Sequence, residues 1–424
     1  MVNRKSAPPI REIGHLVLPK PQQLRLDNGI PLYVLDFPDQ EIVKIEVVFR
    51  AGRPEESKKL VSRATARLLR EGAGSRTGAE IAEFIDFYGG TLSVPGNLDT
   101  TNILLFSLKK YAGQLIPVFA DLLRDPAFPE SELETFRKTS VQDLLVELEK
   151  VEVVAYRKIT ELIFGTEHPY GYNSMPSDYA ILERNDLLAF HQRWYIPSNC
   201  MIFASGRIDE EVLGLLNRHL GQWENKVQAV EHRVIAPASA PLPTQIKIAH
   251  EGSLQTAVKI GRRTFNRRHP DFNGLFVLNT ILGGYFGSRL MTNIREKKGL
   301  TYNIYSTLDA YLHDGCLYIA TEVSPGSAKA TVRQIFSEMK KLREAPVETE
   351  ELDMVRNYLL GMLLNGIDGP MNTSDVVRSM VVEGFSEQEY GELADTIRQI
   401  QPAQLQALAE RYLRPDDFWV VTVG

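Results

Sequence analysis

A chain of 424 residues, 43% hydrophobic and 24% charged, has the composition of a folded globular protein and excludes disordered, collagen-like and fibrous classes. Its 54 acidic against 48 basic side chains leave a formal charge of −6, which argues against a nucleic-acid protein, since phosphate contacts need a concentrated basic surface. No stretch approaches the ~18 apolar residues of a membrane span and the opening residues hold no signal-peptide core, so the expectation is a cytoplasmic protein, with the periplasm open if a signal peptide has been removed.

In chain order, Leu32–Leu35 and Ile42–Arg50 read as strands around the turn signal Asp36-Phe-Pro-Asp-Gln40. A helix is predicted over Leu60–Arg70 and another over Thr77–Tyr88, the second opened by Thr77 with Glu80 three residues on and closed by Gly89-Gly90. Strands at Thr91–Ser93 and Thr101–Ser107 precede helices at Leu108–Leu123, Glu130–Ile163 and Arg184–Trp194, and Met201–Ser205 is the closing strand. The second half predicts strands at Gln245–Ala249 and Thr256–Gly261, helices at Phe272–Leu282 and Ser288–Lys298, and strands at Tyr302–Ala310 and Cys316–Glu322. Long helices and a last strand complete it.

The same order of elements thus occurs twice, and two strings repeat with it. His191–Gly206 returns in outline as Glu410–Gly424, and Pro126–Leu133 followed by Arg137 returns as Pro346–Leu352 followed by Arg356, at offsets of about 217 to 220 residues. Such similar offsets point to one domain duplicated in tandem. Runs of strands followed by runs of helices give an α+β class, two homologous α/β sandwich domains each with a mostly antiparallel sheet covered by helices. The expected domains are 1–224 and 245–424, joined by a linker over 225–244 that contains the Pro-rich stretch Ala236–Pro243.

Cys200 and Cys316, the only cysteines, lie at unrelated positions among apolar residues and read as buried thiols. The run Arg262-Arg263-Thr-Phe-Asn-Arg267-Arg268-His269 reads as an exposed loop before a helix. None of the eight histidines (15, 168, 191, 219, 232, 250, 269, 313) has another within one helical turn, and HExxH, HxxEH, CxxC, Gly-x-Ser-x-Gly and a phosphate loop are all absent. A zinc hydrolase needs about three protein ligands and an open position, so no metal site is expected in this chain.

From Leu26-Asp-Asn-Gly29 to Gly424 the sequence resembles the pitrilysin/insulinase-type zinc peptidases, including the mitochondrial processing peptidase. The resemblance implies an HxxEH helix followed by a Gly in the first domain and a further Glu about eighty residues on. Here the matching string is Leu60-Val-Ser-Arg63-Ala-Thr-Ala66-Arg67-Leu-Leu-Arg-Glu71-Gly72. Arg63 and Arg67 stand where the ligands would be and Ala66 where the general base would be. Guanidinium stays protonated and offers no lone pair to zinc. The later Glu corresponds to Glu147 or Glu149, and a substitute pairing of Arg63 or Arg67 with Glu147 is one expectation. His168-Pro-Tyr-Gly171 also matches a family string and reads as structural.

In the second half, Gly283-Gly284-Tyr-Phe-Gly287-Ser288 and Arg295 through Gly299 to Tyr302 resemble the family's second-domain motif. The resemblance implies that Arg295 and Tyr302 hold substrate and support the oxyanion in trans, and that Gly283, Gly284 and Gly287 form a substrate-guiding loop. The glycines also read as a helix C-cap followed by a Ser288 N-cap. A helix ending at Gly299 and running into a strand points the Arg295 guanidinium and the Tyr302 phenol into one crevice, where donors stabilise developing carbonyl charge. The expected function is that of a catalytically incomplete subunit of a heteromeric zinc endopeptidase, inactive alone. Its partner would be a homologous HxxEH-bearing subunit carrying the zinc, and an extended peptide would be the substrate, added at a sheet edge. A non-enzymatic scaffold and a self-standing peptide-binding module are the alternatives.

Overall fold

A computed structural model describes residues 14, 16–225, 231–233, 235 and 242–424. Most of the expected linker stretch Ala236–Pro243 lies outside the described residues. The first sheet is built from β1 (Gln22–Arg25), β2 (Pro31–Asp36), β3 (Ile42–Phe49), β4 (Thr91–Ser93), β5 (Thr101–Leu108) and β6 (Cys200–Gly206), in the order β1-β2-β6-β3-β5-β4. The second uses β7 (Gln245–Ile248), β8 (Thr256–Arg263), β9 (Thr301–Ala310), β10 (Gly315–Val323) and β11 (Trp419–Val423), in the order β9-β10-β8-β11-β7. Removing β1 makes the two orders identical. In each sheet a single strand pair is parallel, β2 with β6 and β7 with β11, and every other neighbour is antiparallel. The α+β reading with two mostly antiparallel sheets holds.

The repeated strings carry the repeated geometry. Gly206 and Gly424 close β6 and β11 with φ of +100° and +142°. A Cβ at Gly206 would lie 2.0 Å from the carbonyl oxygen of Ile42, and one at Gly424 would lie 2.8 Å from that of Gln255. Only glycine fits both positions. Arg137 donates to the carbonyl of Leu182, and Arg356 donates to that of Ile400 at 2.6 Å, each fastening a long helix to the turn that enters the next one.

Helices α1 (Val61–Leu68), α2 (Gly78–Phe87), α3 (Ala112–Arg124), α4 (Glu130–Leu148) and α5 (Val151–Phe164) follow in the first half. Thr77 forms the expected capping box with Glu80. The single helix expected over Glu130–Ile163 is broken, because Lys150 is extended (φ −88°, ψ 119°) between α4 and α5. No Gly or Pro marks the break, so its cause is tertiary. α5 leaves its own half and lays Val151, Ala155, Ile159 and Ile163 on the second sheet, against Ala257, Val421 and Val423. Ile163 and Ile159 approach Gly261 so closely that a Cβ there would lie 2.9 and 3.1 Å from them. The helix Gly369–Glu383 makes the reciprocal crossing, setting Val377 and Met380 in one cluster with Leu35, Val48 and Phe203 of the first sheet.

Both halves are therefore covered partly by the other's helix, and β1 and the helix Glu210–Leu220 add elements the sequence reading did not name. The basic run is not an exposed loop. Arg262 is the penultimate residue of β8 and pairs with Asp417 at 2.8 Å, Arg263 pairs with Asp314, and Arg267 pairs with Glu383 at 3.2 Å. Cys200 and Cys316 are buried free thiols, and their burial holds both thiols above their ordinary range.

Candidate functional site

The helix aligned with the zinc motif is positioned by a buried carboxylate. Leu60, entirely buried, enters α1 in the left-handed region (φ 71°) without a side-chain cap. In place of a cap, Glu56 accepts hydrogen bonds from the Ser62 N–H at 3.1 Å and its hydroxyl, and from the Tyr172 hydroxyl at 2.6 Å. Burial raises the Glu56 carboxyl above its ordinary value, opposed by those donors and by Arg53. The frame turns Arg63, Ala66 and Arg67 outward into a cavity of about 560 Å³, whose walls also include Arg53, Val94–Leu98, Phe136, Ser140 and Asp143.

A second cavity, about 300 Å³, shares Arg53, Arg63, Leu98, Ser140 and Asp143 and adds Glu147, Arg157, Tyr179 and Tyr311. Arg63 and Glu147 thus meet at one cavity, yet the expected pairing is not formed. Glu147 is held by Lys150 at 2.6 Å, and Arg63 reaches the Tyr179 hydroxyl at 3.5 Å. Glu149 is exposed at the end of α4. Arg53 and Arg157, which the sequence reading missed, carry no local signal. Tertiary packing alone brings Arg53 to both cavities and Arg157 to the second, with Arg53 donating to the carbonyls of Pro169 and Tyr172 and Arg157 to that of Ser174. His168 is buried, stacked on Phe164, and its Nδ1 accepts the N–H of Tyr170 at 3.2 Å, a structural role at the junction of the halves.

These residues do not fit zinc. Two guanidinium groups and a methyl replace the ligands and base, and among the described residues no group of three or more His, Cys, Asp or Glu is placed to hold a metal.

In the second half, Met291–Lys297 is a π-helical turn and not the regular helix expected. Gly299 (φ +59°) ends it, its N–H bonded to the Arg295 carbonyl at 3.0 Å. β9 then begins with a bulge, because pairing with β10 slips between Thr301 and Ile304, and the bulge expels Tyr302 from the ladder. Its ring meets the Arg295 guanidinium at 5.3 Å, with Phe286 on the same cation at 4.7 Å. Arg295 and Tyr302 are therefore brought together as expected, but Tyr302 is 86% exposed. The pair stands on an open surface, not in a crevice of this chain.

The glycine loop also departs from a C-cap. Gly283, Gly284 and Gly287 all lack positive φ, and the preceding turn Thr280–Gly284 is π-helical. Gly283 is buried, and a Cβ there would lie 2.6 Å from the Ser306 nitrogen. Gly284 and Gly287 are exposed beside Phe286. The Ser288 hydroxyl is buried without a hydrogen-bond partner among the described residues, so it does not cap the next helix.

The model for the Peptidase M16 inactive domain matches residues 182–359, a span that includes the glycine loop, the π-turn and the Arg295/Tyr302 stack. Over that span the chain is similar to the peptidase M16 family. An uncharacterized zinc protease of Mycobacterium leprae is 27% identical over 82% of this chain and 78% of its own length. The non-peptidase homolog YmxG of Helicobacter pylori is 24% identical over 75% and 74%. Among solved structures, the peptidase M16 inactive domain from Pseudomonas fluorescens superposes with a TM-score of 0.85 at 20% identity, over 96% of this chain and 98% of that one. A protease from Helicobacter pylori gives 0.87 at 16% identity over 96% and 99%. Both zinc-protease and non-peptidase names occur within this M16 fold. Among the described residues no helix is long and apolar enough to cross a membrane.

Proposed function

We propose that this chain is the zinc-less, substrate-holding subunit of a heteromeric M16 peptidase. A homologous HxxEH-bearing partner supplies the metal and the base. Arg295 and Tyr302 orient an extended peptide and support the carbonyl oxygen as it gains charge.

The observation that carries this reading is separation within the chain. Tyr302 stands near the start of β9, whereas Tyr311, one residue past its end, lines the 300 Å³ cavity that shares Arg63 with the α1 cavity. At ~3.3 Å per residue the strand sets the two about 30 Å apart. The pair is therefore exposed and far from its own α1 helix, which leaves it free to contribute to another chain's site. The outer edge of β9 is unpaired among the described residues, and an extended peptide can add there by main-chain hydrogen bonds. The test is the peptidase rate of the cognate HxxEH-bearing subunit with and without this chain. A rate rise in the mixture that Arg295→Ala abolishes supports the reading. An unchanged rate sinks it and leaves the scaffold.

A specific observation favours one further role, peptide binding by this chain alone, because the α1 cavity sets three arginines, Arg53, Arg63 and Arg67, among apolar walls.

A further inference from the structure

Two arginines stand where metal ligands are expected, and their setting has the chemistry of a carboxylate receptor. Arg63 and Arg67 are one helical turn apart, so both guanidinium groups leave the same face of α1. Both are exposed to the 560 Å³ cavity, where Arg53 adds a third positive charge and Asp143 is the one acidic wall residue. No described carboxylate lies within ion-pairing distance of either: Glu147 is held by Lys150, and Arg63 has only the long contact to Tyr179. Like charges at this spacing repel. An anion between them removes that repulsion.

The shape of the site narrows the class of anion. The cavity is continuous in its lining with the 300 Å³ cavity through Arg53, Arg63, Leu98, Ser140 and Asp143, which makes an elongated trough with Phe136, Leu144 and Tyr179 on its apolar walls. β4 is the outer strand of the first sheet and its chain continues directly into the wall Val94–Leu98. A trough beside an open sheet edge suits an extended polypeptide. Asp143 disfavours a multiply charged phosphate, whereas a planar monoanion matches the guanidinium fork.

We infer that the α1 cavity binds a carboxylate of an extended peptide, an acidic side chain or a free C-terminus, between Arg63 and Arg67. The site needs neither the partner subunit nor the Arg295/Tyr302 pair, so it is measured on the lone chain; it rests on the lone-chain peptide-binding reading and stands or falls apart from the heteromeric one. Three fluorescent peptides of one length separate the sources: glutamate-rich with an amidated end, its glutamine counterpart with an amidated end, and that counterpart with a free carboxyl end. Anisotropy should show one carboxylate-bearing peptide binding about tenfold tighter than the neutral one, the order expected of a charge-assisted bidentate contact. Arg67→Gln and Arg63→Gln should each remove most of that preference without shifting the melting temperature, since both side chains are exposed. Preference for the glutamate peptide identifies side chains as the ligand, and preference for the free end identifies the terminus. Equal binding of all three, a preference that survives both substitutions, or displacement by equimolar inorganic phosphate overturns the assignment.

Discussion

Glu46 on β3 and Lys259 on β8 occupy the same register position in the two sheets, with opposite charge. Glu46 lies opposite Phe203 and Lys259 opposite Val421, each three residues before the glycine that closes the repeat. Each is almost fully buried, and each is met by the helix that crosses from the other half: Arg378 reaches Glu46 at 3.0 Å and Glu152 reaches Lys259 at 3.1 Å. The duplicated halves thus keep one contact in inverted polarity. Two sheets with identical acids here would have needed identical bases on both helices. The inversion makes each crossing helix specific for the opposite half, since a helix docked on its own sheet would meet a like charge.

The Lys259 pair should respond unequally to removal of its two members. Glu152→Ala leaves a buried ammonium with the rings of Tyr156, Tyr305 and Tyr318 and the charge of Glu322, which forms no ion pair with it, as its remaining partners, and should cost about 2–4 kcal/mol. Lys259→Met leaves a half-exposed carboxylate that water solvates, and should cost less than about 1 kcal/mol. Urea unfolding of the two variants checks the order, and equal losses would mean that Lys259 is solvated in the folded state.

The glycine loop has a buried part and an exposed part. Gly283→Ala drives a methyl into the Ser306 backbone nitrogen and hydroxyl, both 2.6 Å from the Cβ position, and should destabilise by about 1–3 kcal/mol. At Gly284 the nearest atom is 3.3 Å away and the residue is exposed, so Gly284→Ala should leave stability within about 0.5 kcal/mol. Melting curves test this pair. A change in peptide turnover in the mixed enzyme that is confined to Gly284→Ala would assign guidance of substrate to the exposed part of the loop.

The duplication was legible because it rests on local signals. Positive-φ glycines at 206 and 424, the Thr77 capping box, and arginines at 137 and 356 that reach equivalent carbonyls leave residue types at fixed offsets. The break between α4 and α5 was not legible, because Leu148-Glu149-Lys150 continues a helical pattern and only the apolar face awaiting α5 on the second sheet interrupts it. The candidate site divides the same way. Arg63, Arg67, Arg295 and Tyr302 followed from motif positions. Arg53, Arg157 and the Phe286 stack depended on long-range packing, and the π-turn under Arg295 has no residue code.

Glu56 should give the fold a pH dependence of predictable sign. Burial raises its carboxyl in the folded protein above the unfolded value near 4.5, so the folded state holds the proton more tightly. Stability from this group is then greatest below the unfolded value and declines as pH rises through the raised folded value. Glu56→Gln fixes the neutral form and should flatten that decline. Asp99 shifts in the same direction but is present in both proteins and cancels from the difference. Melting temperatures of wild type and Glu56→Gln across acidic to neutral pH measure it, and parallel curves would refute the buried-acid account.

Arg295 and Tyr302 can be changed with little penalty to the fold, which makes their role measurable. Tyr302 is 86% exposed, and the stack on Arg295 is an open-surface contact worth about 0.5–1 kcal/mol. Tyr302→Phe keeps a ring over the guanidinium and deletes only the phenol. If the phenol donates to the developing oxyanion, kcat of the mixed enzyme should fall by about a hundredfold while KM stays near its value. Arg295→Lys keeps the charge but loses the planar fork and its stacking between Phe286 and Tyr302. If the fork holds substrate in ground and transition states alike, the change should raise KM more than it lowers kcat. Steady-state kinetics of both variants, beside melting curves that stay superimposed on wild type, separate the two contributions. Unchanged kinetics in both would reduce the stack to a surface feature and remove the basis for a role in trans.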